Sequence, residues 1–127
     1  MQWSDESGAG FTELGVEPWL PLGDHHLTNV AAQRSDENSI LSLTRALISL
    51  RRAEEDLRSG AQVTIPSPEG TYVYERGAGM VVALNMSDVA ATIDLDGEVL
   101  NASFPRTTDT GPLRLEPWAG VVVRRND

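Results

Sequence analysis

Residues 36–57, DENSILSLTRALISLRRAEEDL, constrain the fold more than any other stretch. Ile40, Leu41, Leu43, Leu47, Ile48, Leu50 and Leu57 recur at three- and four-residue steps, the period of an α-helix. Together they cover more than the narrow stripe of a helix that lies on one neighbour. The spacing predicts one helix roughly 30 Å long, at about 1.5 Å per residue. Ser35 or Asp36 suits its N-cap, and Asp36 and Glu37 suit the positive end of its dipole. Gly60 suits its stop. Glu54, Glu55 and Asp56 stand near the far end, where pairing with Arg51, Arg52 and Arg58 at helical spacing is expected. Each apolar side chain contributes about 1.5–3 kcal/mol when buried, so roughly 10–20 kcal/mol depends on covering this surface. A helix of this kind belongs between two bodies.

Length and charge narrow the rest. A chain of 127 residues is one domain's worth. Its net charge of -9 argues against nucleic acid and against an anionic membrane as partners. Without cysteine there is no disulfide and no thiolate chemistry. No apolar run reaches the ~18 residues of a membrane span, and the polar opening MQWSDESGAG is not a signal peptide. A cytoplasmic location is the expectation, with no cofactor.

Residues 1–34 show neither helix nor strand period, yet hold Trp3, Phe11 and Trp19. Disordered segments are poor in aromatics, so this stretch reads as a long loop lying on a surface. After Gly60 the period changes to that of strands. Strands are expected at 62–65, 71–76, 80–86, 90–95, 98–100, around Leu113 and Leu115, and at 121–125. Residues 80–86 form a near-continuous apolar run and so predict the central strand. Asp96-Gly97 predicts a two-residue hairpin, residues 105–110 a loop, and the turn holding Trp118 another hairpin. The fold class is α+β: an irregular opening (1–35) and one long helix (36–59) packed on an antiparallel β-sandwich of about six or seven strands (60–127).

Several short motifs then come in close order. They are Met1-Gln2-Trp3-Ser4-Asp5, Ala9-Gly10-Phe11, Pro18-Trp19-Leu20-Pro21-Leu22, Asn29-Val30-Ala31-Ala32-Gln33, and Leu47-Ile48-Ser49-Leu50-Arg51. Val81-Val82-Ala83-Leu84-Asn85 and Glu116-Pro117-Trp118-Ala119-Gly120 extend the pattern. The run resembles the C-terminal third of a glycoside hydrolase of family 13, the α-amylase superfamily, of the α-glucosidase and oligo-1,6-glucosidase type. Trehalose synthases share a similar run. The resemblance implies that the opening is the loop after the last strand of a (β/α)₈ barrel. The helix would be the last barrel helix, and the remainder the antiparallel domain behind it. It also implies chemistry by two carboxylates roughly 5–5.5 Å apart, on barrel segments whose motifs do not occur here. The chain is therefore expected to be catalytically inactive alone. Its expected partners are the missing barrel and a second copy through the exposed helix face.

Three residues are implied to be substrate-proximal by resemblance alone: Met1, Gln2 and Trp3. Trp118, Tyr72 and Tyr74 are the candidates for stacking on a sugar. His25-His26 lacks a sensibly spaced third ligand, so a solvated turn is expected and no metal site. Asp94 and Asp96 read as a solvated face. Asn85-Met86-Ser87 matches a glycosylation sequon, but Asn85 ends a buried strand and is expected to bond nearby backbone. A free-standing carbohydrate-binding module and a protein-interaction domain are the alternatives. Neither accounts for a barrel-type helix preceded by such a loop.

Overall fold

A computed structural model describes residues 2–103 and 112–126. The loop expected at 105–110 and Met1, for which the resemblance implies a place near substrate, lie outside the described residues. Packing divides the chain into two compact units, Met1–Arg45 and Ala46–Asp127.

The first unit is held mainly by backbone. Trp3 N–H donates to the Ala9 carbonyl at 2.9 Å across a reversal in which Gly8, Ala9 and Gly10 all have positive φ. The stretch expected to be wholly irregular contains one helical turn, α1 (Val30–Gln33). Its N-terminal donors are met in three ways. Asn29, the N-cap, accepts from Ala32 N–H through Oδ1 at 2.8 Å. The Gln2 and Trp3 carbonyls accept from Val30 N–H at 2.9 Å and Ala31 N–H at 3.0 Å. A helix too short to persist by itself is thus tied to the start of the chain.

Helix α2 (Ile40–Ala53) is shorter than the 36–59 expected, and α3 (Glu55–Ser59) follows as a separate piece. The start is set by Ser39, whose hydroxyl accepts from Ser42 N–H at 3.2 Å, rather than by Ser35 or Asp36. Asp36 instead closes its own turn onto Asn38 N–H at 2.9 Å. The break falls at Glu54, which is extended (φ -97, ψ 115). Tertiary bonds explain it. The Glu54 carboxylate takes Arg124 at 2.7 Å. The Asp56 carboxylate accepts Ala78 N–H at 3.2 Å and occupies the space where a Cβ on Gly77 would stand. Of the expected helical pairs, Glu55 with Arg58 is present, while Glu54 and Asp56 serve the β-region. All three acids therefore lie at the start of α3, where its dipole favours them.

In the second unit β1 (Gln62–Ile65), β2 (Thr71–Arg76), β3 (Met80–Asn85), β7 (Gly120–Arg125) and β5 (Gly97–Ala102) make one antiparallel sheet in the order β1-β2-β3-β7-β5. The apolar run is its central strand, as the pattern predicts. β4 (Ala91–Ile93) and β6 (Leu113–Leu115) form a second, two-stranded sheet. The hairpin expected at Asp96-Gly97 does not form, because β4 pairs with β6 and β5 with β7. Gly97 is still required: a Cβ there would collide with the Arg124 carbonyl and the Val123 side chain. Register places Val73, Ala83 and Val121 side by side, and Val81 beside Val123. These alternate residues form the core with Ile93, Leu95, Leu113, Leu115 and Ala119. The result is the α+β sandwich the sequence implied.

Candidate functional site

Three places carry the residues singled out for function. The first is the opening segment. The Gln2 and Trp3 carbonyls are spent on α1, while the Trp3 side chain is exposed. Gln2 lines a depression of about 400 Å³ with Phe11, Thr12, Pro18 and the segment Trp19-Leu20-Pro21-Leu22. Trp19 is 91% exposed there. Large apolar side chains this accessible do not stabilise the chain that carries them.

The second place is the pair Tyr72 and Tyr74. Alternation on β2 turns Val73 into the core and both tyrosines to the opposite sheet face. Their rings lie 5.3 Å apart, tilted by 38°. The Tyr72 hydroxyl accepts from the Gln62 side chain at 3.0 Å. Both are half-buried.

The third is Trp118. Its turn is not a hairpin, since it carries the chain from β6 in the small sheet to β7 in the large one. Trp118 has φ 59 and is 71% exposed. The turn is fastened from beneath by Asn85, which is 2% exposed. The Asn85 amide donates to the carbonyls of Val89 at 2.8 Å, Glu116 at 3.0 Å and Leu115 at 3.3 Å. Its Oδ1 accepts from the Ser87 backbone and hydroxyl. Asn85 therefore bonds nearby backbone, as its position at the end of a buried strand suggested, and its amide is enclosed. Among the described aromatic pairs the tyrosines meet each other, and Trp118 meets neither.

The remaining candidates are quickly placed. His25 and His26 stack at 4.1 Å in the first unit. Among the described residues no group of three His, Cys, Asp or Glu could hold a metal ion. Asp94 and Asp96 are exposed beside β4. Glu55 has a carboxyl held below its ordinary range, by the Ser59 hydroxyl first and then by Arg58. It is fully exposed and belongs to the first turn of α3, not to a cleft. Among the described residues no helix is long and apolar enough to cross a membrane. Of two structural residues, only one left a local signal in the sequence. Asn29 is readable as an N-cap before an apolar turn, but Asp56 bonds a turn more than twenty residues away.

Two family models match adjoining parts of the chain. The family described as alpha amylase, catalytic domain, matches residues 1–60. The family described as a domain of unknown function, DUF3459, matches residues 58–122. A glucan 1,6-alpha-glucosidase of Streptococcus dysgalactiae subsp. equisimilis is 29% identical over 98% of this chain and 24% of its own length. An amino acid transporter heavy chain, SLC3A1 of Mus musculus, is 28% identical over 99% of this chain and 21% of its own. A solved isomaltulose synthase mutant from Erwinia rhapontici NX5, in complex with D-glucose, superposes with a TM-score of 0.85 at 27% identity, over 100% of this chain and 25% of that one. The chain thus spans about a quarter of the length of the curated relatives it matches. Two adjoining family matches and a shared fold along the whole chain lead to one conclusion: it belongs to glycoside hydrolase family 13, the α-amylase superfamily, across the join between the alpha-amylase catalytic domain and DUF3459.

Proposed function

We propose that this chain is a bracing segment of an α-glucosidase-like enzyme: it completes and supports a (β/α)₈ barrel and does not hydrolyse α-glucosides by itself. The observation that carries this is the uncovered apolar surface of the first unit and of α2. Trp19 is 91% exposed, Leu14 and Leu27 are each 79% exposed, and α2 contains no buried residue. A barrel would supply the missing cover, with residues 1–35 as its loop, 36–59 as its last helical segment and 60–127 as the domain behind. Gln2 and Trp3 would then face the sugar site from that loop. The relatives fit a bracing role. Identity is nearly the same to a protein named a glucosidase and to one named a transporter heavy chain. A segment that likeness cannot tell apart carries what such proteins share, their fold. The isomaltulose synthase neighbour favours a second reading of the parent reaction, isomerisation rather than hydrolysis of a glucoside.

The test uses the chain as it is. It is expected to release no aryl alcohol from an aryl α-glucoside and to bind a hydrophobic dye, or to self-associate in light scattering. Turnover in a clean preparation, or a monomer that binds no dye, overturns the proposal.

A further inference from the structure

We propose that Trp118 is a stacking platform for a glucopyranosyl ring, so that this chain carries a carbohydrate-binding position of its own. The choice of glucose rests on the function proposed above; the platform rests on geometry. Three observations meet at this turn. First, the indole is 71% exposed and so contributes little to the core. Second, its backbone holds φ 59, a conformation costly for a bulky residue and maintained only where the surroundings enforce it. Third, the surroundings do enforce it. Trp118 N–H donates to the Ser87 carbonyl at 3.3 Å, and Ala119 N–H to the Glu116 carbonyl at 3.1 Å. The Asn85 amide ties both turns to β3. This fastened turn holds the indole outward, where it adds little to the packing of the described residues.

The exposed residues on the two turns joined by the Trp118 N–H to Ser87 carbonyl bond narrow the occupant. Met86 and Val89 are exposed on the neighbouring turn. Asp88 and Glu116 add exposed carboxylates, and Arg114 sits 3.0 Å from Glu116. An exposed indole on turns that also carry carboxylates and a guanidinium suits a pyranose, whose C–H face meets an aromatic ring while its hydroxyls donate to carboxylates. A second copy would bring the same acids against themselves in a chain of net charge -9. An anionic lipid surface is repelled for the same reason.

The experiment is titration of the 127-residue chain with isomaltotriose, followed by amide and indole N–H resonances. The expected result is a saturable shift of the Trp118 indole and of the Ser87, Asp88 and Glu116 amides. Trp118→Gly suits the positive φ, keeps the fold and should weaken binding about tenfold or more. Trp118→Phe should retain part of it. A response that survives in Trp118→Gly, or that centres on Trp3 and Trp19, overturns the proposal. So does the absence of any saturable shift, and so do shifts that follow protein concentration alone, which assign the indole to a second copy. Barrel bracing is read separately by turnover and dye binding, so either conclusion can fail while the other stands.

Discussion

The two units solve the problem of holding a backbone in opposite ways. Met1–Arg45 buries few side chains among its described residues: Ala9 and Val30, with the polar Asn29 and Ser39. It is organised by backbone hydrogen bonds and caps, and its large apolar groups face outward. Ala46–Asp127 buries Val73, Val81, Leu115 and Val123 almost completely and points alternate residues of each strand into one core. Hydrogen bonds supply geometry at about 1 kcal/mol net each, whereas apolar burial supplies most of the stability. The second unit is therefore expected to set the stability of the isolated chain, and the first to depend on whatever covers it.

The largest test compares one residue from each unit. Leu115→Ala removes a side chain with 0% exposure and is expected to cost about 2–5 kcal/mol in urea unfolding. Trp19→Ala should stay within about 0.5 kcal/mol in the same assay. Equal effects would break the contrast. Next is Asn85→Ala, which leaves the Val89, Leu115 and Glu116 carbonyls without their donor; a loss of roughly 2–3 kcal/mol is expected. A near-neutral Asn85→Ala would mean that water replaces the amide and the mount under Trp118 is loose.

Gly77→Ala should cost about 1–2 kcal/mol, because Gly77 has φ 62 and its missing Cβ makes room for the Asp56 carboxylate. The amide of Ala78 should lose hydrogen-exchange protection in the same variant. Asn29→Ala is expected to cost about 1 kcal/mol, felt as faster exchange at Ala32 rather than in global unfolding. A global loss would show that the units unfold together. The smallest effect is that of pH. Glu55 has its carboxyl lowered in the folded chain, so its pairing with Ser59 and Arg58 is present above the ordinary value of 4.5 and lost as pH falls through the lowered one. Its NMR titration midpoint should lie below 4.5, and Ser59→Ala should raise it.

Much of the second unit was legible because its signals are local. Val73 between Tyr72 and Tyr74 is a period of two, and the apolar run of β3 announces a strand covered on both faces. Pairing was not legible. Asp96-Gly97 has the composition of a hairpin turn, but β4 and β5 each found a partner elsewhere, and the glycine is needed for close approach to Arg124 and Val123. The extent of the helix was not legible for a related reason. Its apolar period runs through Leu57, yet Glu54 leaves the helix, with its carboxylate on Arg124, seventy positions along the chain.

The candidate sites divide along the same line. That Gln2, Trp3, Trp118, Tyr72 and Tyr74 deserved attention followed from residue type and motif order alone. Which of them share a surface did not. The sequence by itself determined the succession of strands, the α+β class and the membership of family 13, because periodicity and short motifs are properties of neighbours along the chain. Tertiary structure alone decided the break at Glu54, the division into two sheets and the exposed, fastened position of Trp118. Each of these depends on a bond or a collision between residues far apart in sequence, and no local pattern records them.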